Sequence, residues 1–318
     1  MSSVRERAAV TATGVPAGRT ATLGTALALA SAMTFGLSGP TAKSLLDAGW
    51  SPLAVTLLRI GGGALVLLVP AVVLLVRQGG LRLAGWRATA LYGVMSVAGV
   101  QLGFYNAVQT LTVAVAMLVE YLGPVLLLGW IWLRTGRRPA PTSLAGAGVA
   151  LVGLALVIDL TGGVAVDPIG LAWALFAACC LASYFALAAR TDDPVHPVVL
   201  AGGGSAVGAV ALALVGSLGL LPLHRGAGDV TFAGMHTSWV VPALVVILVA
   251  TVTAYLTGIA AVRALGSRVS SFLGLTEALF AVVFAWLLLG ELPHPTQLAG
   301  GALIIAGIVL VRRDRTTP

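Results

Sequence analysis

The chain has 318 residues, 58% of them hydrophobic and only 9% charged, with a formal net charge of +7 and a mean hydropathy of +1.02. A soluble domain typically carries about 25% charged residues, so this chain cannot clothe a water-facing exterior and must fold against lipid. The positive charge does not indicate nucleic acid, because the basic residues lie in short clusters between apolar runs and no nucleic-acid motif accompanies them.

A helix of about 20 mostly apolar residues crosses a bilayer. Ten such runs follow in chain order: 22–46, 53–76, 86–109, 112–133, 142–160, 168–190, 197–221, 238–262, 268–290 and 296–312. The tail before the first run carries Arg5, Arg7 and Arg19, and no short apolar core with a cleavage site follows, so an uncleaved first helix is expected. Lysine and arginine favour the cytoplasmic side of short loops. With the N-terminus inside, fifteen arginines fall on inner segments, while Lys43 and Arg225 fall outside and Arg59 lies within a span. The predicted fold is therefore an all-α polytopic membrane protein of ten transmembrane helices, with cytoplasmic tails at 1–21 and 313–318.

Ionisable groups inside spans are costly and usually face a cavity or a partner. In the second run Arg59 lies seven residues inward from Pro52, about 10 Å at 1.5 Å per residue. In the fourth, Glu120 lies eight inward from Thr112, about 12 Å by the same rise. Both enter from the outer side, so they share a depth at which they can pair. Two readings stay open: an ion pair that fixes two helices, or a pair flanking a cavity, with the planar arginine fork taking a carboxylate. The third run carries Gln101, Tyr105 and Gln109 at spacings of four, with Asn106 beside them, a polar stripe that lines a cavity or glues helices together. Pro124 is expected to kink the fourth helix. In the sixth, Trp173 and Tyr184 suit a cavity wall or an interfacial anchor equally. The adjacent Cys179 and Cys180 read as small buried helix residues. In the ninth, Glu277 has no obvious basic partner at its depth and is the candidate for proton coupling. No metal and no cofactor is expected, and the sequence sets no oligomeric state.

One phrase is written twice. PTSLAG at 141–146 returns as PTQLAG at 295–300, and residues 107–156 slide onto 261–310 without a gap at an offset of 154, matching at fifteen of fifty positions. The matches include Trp132/Trp286, Gly136/Gly290, Pro139/Pro293, Pro141/Pro295, Gly146/Gly300 and Gly153/Gly307, which composition alone does not explain. At the same offset Gln101 corresponds to Tyr255. Two five-helix halves, 22–160 and 161–312, are predicted. Because five is odd, the second is inverted relative to the first, an arrangement that commonly marks transporters with a site near mid-membrane.

Several stretches resemble a known family: FGLSGPTAKSLLDAG (35–49), VTLLR (55–59), FYNAVQTLTVAVAMLVEYLGP (104–124) and ALGSRVSSFLGLTEALFAVVFAWLLLGELPHPTQLAGGALIIAGIVL (264–310). They are similar to the EamA-type ten-helix exporters of the drug/metabolite transporter superfamily, most of all the threonine/homoserine exporter branch. The family usually has Glu-Pro in the ninth helix, where this chain has Glu277-Ala278. The resemblance implies a secondary transporter in the bacterial inner membrane that exports a small molecule, an amino acid or related metabolite, with multidrug export as the alternative. A third class, a membrane-embedded metal-dependent transferase, draws only on TDDPVHP (191–197). Its prolines suit a turn between helices.

Overall fold

The computed structural model describes residues 17–77, 79–80, 83–136, 138–158, 167–188, 195–265, 273–274 and 276–313. Helices dominate, and their breaks follow from local chemistry. Helix α1 (Ala17–Gly36) and α2 (Ser38–Asp47) form one run interrupted at Leu37. Pro40 has no N–H to return to the Gly36 carbonyl, and the ladder resumes with Thr41 N donating to Leu37 O at 3.1 Å. Helix α3 (Pro52–Arg77) starts on a proline that needs no N-terminal donor partner. The next run is continuous over α4 (Leu83–Leu91), a π-helical segment π1 (Tyr92–Gly99) and α5 (Val100–Ala107). Thr112 caps α6 (Val113–Glu120), accepting from Val115 N at 3.3 Å. The chain then breaks at Tyr121–Leu122 before α7 (Gly123–Thr135), which has Pro124 in its first turn, and Gly136 ends α7 at φ 66.

Helices α8 (Pro141–Ile158), α9 (Pro168–Ala188) and α10 (Pro197–Ser217) follow. A small hairpin, β1 (Val230–Phe232) with β2 (Met235–Thr237), stands in the loop after α10. Ala233 and Gly234 both have positive φ there, 52 and 74, as a tight two-residue hairpin turn requires. With three residues in each strand, the hairpin is a small loop feature of an otherwise helical fold. Helix α11 (Val240–Leu244), a second π-helical segment π2 (Val245–Thr253) and α12 (Ala254–Leu265) again form one run. Helices α13 (Thr276–Leu289) and α14 (Pro295–Arg313) end the chain, with Gly290 at φ 72 closing α13.

Among the described residues, five helical runs are long and apolar enough to cross a membrane: Ala21–Asp47, Pro52–Arg77, Val113–Thr135, Val198–Ser217 and Val240–Leu265. Shorter apolar helices lie at Pro141–Leu156, Pro168–Ser183, Thr276–Leu289 and Pro295–Leu310. Large apolar side chains such as Leu65, Leu133 and Leu214 face outward, as a lipid-facing surface demands.

Packing follows the written repeat. Helix α8 lies along α14, and α3 along α10. The α8–α14 contact is reciprocal: a Cβ at Gly153 would strike Gly300 O and Ile304 N, while one at Gly307 would strike Gly146 O and Ala150 N. These residues are equivalent at the offset of 154. Likewise α1 packs on α12 as α9 packs on α5. Both π segments fall at nearly equivalent positions, and Gly136 and Gly290 end equivalent helices in the same left-handed conformation. The segments expected on the outer side meet at one end of the bundle. Ser51 N donates to His224 O at 3.1 Å, and Trp50 packs on Trp239 with ring centroids 5.3 Å apart. Arg263 and His196, both expected inside, meet each other.

Candidate functional site

Arg59 sits on α3 with 3% of its surface exposed. A cation so placed must have its donors met, and neutral groups from α2, α5 and π2 meet them. Its Nε donates to Thr251 Oγ1 on π2 at 3.0 Å, and one Nη donates to the Ala250 carbonyl at 3.3 Å. The other Nη reaches the Tyr105 hydroxyl at 2.9 Å, together with Ser38 Oγ and Gln101 Oε1. The π2 segment makes this possible. Thr251 Oγ1 donates to Val246 O, five residues back, at 2.8 Å, so its oxygen lone pairs are turned towards Arg59. π-Helical turns in α-helices recur at functional sites, where the changed register re-aims side chains. Gly63, one turn along α3 from Arg59, leaves room for the Thr251 methyl, which a Cβ at Gly63 would meet at 2.7 Å.

The expected Arg59–Glu120 ion pair is not formed in this structure. Among the described residues the ion pair is Lys43–Asp47, at 3.1 Å. Equal depth puts Arg59 and Glu120 on one level but does not fix their direction around the bundle. Glu120 is the last residue of α6, and Glu277 the second of α13, which packs on α6. Glu120 lies within reach of the Glu277 charge, and Arg59 acts on both carboxylates. Tyr121, in the break between α6 and α7, also acts on Glu277, and its hydroxyl donates to the Gly274 carbonyl at 3.5 Å. The end of α1 presses on the same place, since a Cβ at Gly36 would lie 2.9 Å from the Glu277 carbonyl oxygen. Broken helices therefore bring one cation and two carboxylates into one neighbourhood without direct pairing of the cation.

The structure divides the other sequence-predicted residues. Gln101 and Tyr105 belong to the Arg59 cage, and Tyr105 is fully buried. Asn106 and Gln109 instead line a separate cleft of 230 Å³ at the Trp50 end of the bundle, the end expected to face outward. Trp173 lines an open apolar groove with Leu102, Ile169 and Phe176, and stacks edge-on with Phe176 at 5.8 Å. Tyr255 packs edge-on against Phe35 at 5.2 Å, one helical turn beyond Thr251. The backbone of Tyr184 lies in α9 and its side chain lies outside the described residues, as do residues 191–194 of TDDPVHP. His196 of that run caps α10, its Nδ1 accepting from Val198 N at 3.3 Å.

Three residues of this neighbourhood escape sequence reasoning: Ser38, Tyr121 and Thr251. Ser38 has a signal, standing in the quoted FGLSGP stretch beside the helix-breaking Pro40. Tyr121 has one in its position directly after Glu120 and three residues before Pro124. The signal of Thr251 is fainter: it lies four residues before the repeat counterpart of Gln101.

A model of the EamA-like transporter family matches the chain twice, over residues 22–159 and 168–313. The chain belongs to this family. Threonine/homoserine exporter RhtA of Escherichia coli (strain K12) is 30% identical over 271 residues, covering 84% of each chain. The protein of the same name in Salmonella typhimurium (strain SL1344) is 29% identical over 267 residues, covering 83% of each. One solved crystal structure matches with a TM-score of 0.57 at 19% identity, over 90% of this chain and 95% of that one, a likeness of fold alone. The protein is thus a multi-pass transporter of the cell (inner) membrane, on the threonine/homoserine exporter branch.

Proposed function

We propose that the chain crosses the inner membrane ten times, with both termini in the cytoplasm, as two inverted five-helix repeats at 22–160 and 161–312. It exports small zwitterionic amino acids of the threonine or homoserine kind, or related metabolites, by alternating access around Arg59. One observation carries this reading: a buried guanidinium whose hydrogen bonds run to neutral oxygens, with Glu120 and Glu277 nearby but not paired to it. A substrate carboxylate displaces Ser38, Gln101 and Tyr105 from one edge of Arg59 and accepts a charge-assisted, two-pronged hydrogen bond. The ammonium group faces the two carboxylates. The names of the relatives support the substrate class. The breaks at Leu37 and Tyr121–Leu122 and the two π segments border the site, and they are the places where the bundle can bend.

Glu277 is the proposed proton carrier. A zwitterion bears no net charge, so the membrane potential drives its export only through a coupled ion, which adds about 2.3 kcal/mol per 100 mV. A second reading, export of lipophilic drugs, is favoured by the open apolar groove at Trp173 and Phe176. Transport rather than enzyme chemistry fits His196, whose ring is engaged in capping α10 and in contact with Arg263. The test is overexpression in a bacterial host. Intracellular threonine or homoserine should fall and tolerance to their toxic analogues should rise. Unchanged amino-acid pools together with raised tolerance to lipophilic cations would overturn the amino-acid reading in favour of drugs.

A further inference from the structure

The outer cleft is a separate chamber from the Arg59 cage. Its walls include Trp50 and Ser51 from the α2–α3 turn, Asn106 and Gln109 from α5 and the turn after it, and Pro222 and His224 from the loop after α10. Leu53 and Leu102 of its lining belong to an apolar cluster with Ile60 and Leu212, and none of the residues that bond Arg59 lines the cleft. The cleft's 230 Å³ falls below the roughly 300–1,000 Å³ of pockets for drug-sized ligands, which suits a smaller molecule. Among the described residues that line it there is no carboxylate and no guanidinium. The Asn106 amide nitrogen donates to Leu102 O at 2.7 Å, which leaves the amide oxygen to accept.

The repeat gives this place a twin with different chemistry. At the offset of 154 Gln109 corresponds to Arg263. At the opposite end Arg263 and His196 are in contact. At the outer end Ser51 and Gln109 stand on the walls of a cleft.

We infer that the outer cleft is a second, exit-side site for the same small zwitterionic substrate, which is held there by neutral hydrogen-bonding groups and released to the exterior. The inference rests on the proposed function. The neutral lining is what makes it an exit. Hydrogen bonds between neutral partners are weaker than those to a charged group, so a substrate leaving Arg59 is held loosely and is not recaptured. At the opposite end the same position carries a cation, Arg263, that attracts a carboxylate.

The experiment is equilibrium dialysis of radiolabelled threonine against the purified full-length protein. Wild type should show a tight and a weak component. Arg59→Gln should keep only the weak one, and Gln109→Ala only the tight one; Gln109 is exposed, so its truncation spares the fold. Gln109→Arg, which copies the twin position, should tighten the weak component about tenfold. A single component in wild type that Arg59→Gln abolishes would overturn the exit site while leaving the proposed function standing. A weak component indifferent to both Gln109 variants would also overturn it. No threonine binding in wild type would overturn the exit site and the proposed function together.

Discussion

Thr251→Val is the sharpest probe of the Arg59 cage. The substitution keeps the shape and the methyl that packs near Gly63, and removes one oxygen. That oxygen accepts from Arg59 Nε at 3.0 Å and donates to Val246 O at 2.8 Å. A hydrogen bond to a charged group contributes about 1.5–3 kcal/mol, and with Arg59 only 3% exposed, water does not take over the vacated role. At 1.4 kcal/mol per factor of ten, the expected loss is about tenfold to a hundredfold, divided between folding stability and grip on the substrate carboxylate. The assay pairs thermal unfolding in detergent with threonine counterflow in reconstituted vesicles. Thr251→Ser, which restores the oxygen without the methyl, should recover most of both. If Thr251→Val unfolds with wild type and exchanges threonine at the same half-saturating concentration, the π2 hydroxyl does not hold Arg59 and the reasoning fails.

Other outcomes rest on the same structure. Glu277→Gln preserves shape and removes titration, so exchange should survive while pH-driven accumulation in vesicles disappears; unchanged accumulation would eliminate Glu277 as the proton carrier. Gly153→Leu drives a side chain into Gly300 and Ile304 on α14, and overpacking of this kind costs about 1–3 kcal/mol, to be read as a lower unfolding temperature. Glu291, in the loop between α13 and α14, accepts from Val113 N at 3.0 Å at the start of α6. Burial raises its pKa above the ordinary 4.5, against the lowering effects of the Val113 hydrogen bond and Lys43, with Asp47 raising it further. A raised carboxyl pKa means that the folded state holds the proton more tightly, so this contribution to stability is present below 4.5 and lost as pH rises through the folded value. Glu291→Gln keeps an acceptor for Val113 and should remove that part of the pH dependence of unfolding; an unchanged profile would refute the assignment.

Much of the fold is legible in the sequence because lipid imposes long apolar runs and the repeat imposes register. The doubled Pro-Thr-x-Leu-Ala-Gly phrase points to α8 and α14, which meet through their shared glycines. Arg59 is legible because a lone arginine inside an apolar run must be satisfied. Its partners are not. Thr251 lies 192 residues away, and only packing of α3 on π2 brings them together. The π segments themselves, YGVMSVAG and VVILVATVT, have the composition of ordinary membrane helix, because a change of hydrogen-bond register leaves no apolar signature. In sequence the stripe of Gln101, Tyr105, Asn106 and Gln109 reads as one wall. The structure splits it: Gln101 and Tyr105 bond Arg59, whereas Asn106 and Gln109 line the cleft with Leu102. The hairpin at Val230–Thr237 leaves no sequence signal, since its strands are three residues each, too short for an alternating pattern to register.

The most direct test of the proposed transport is counterflow with the purified protein in vesicles loaded with unlabelled threonine. External labelled threonine should accumulate transiently in wild type, and Arg59→Gln should abolish the overshoot. Absence of counterflow for threonine, homoserine and other amino acids, alongside exchange of a lipophilic cation, would contradict the assignment of Arg59 as the carboxylate-binding centre of an amino-acid exporter.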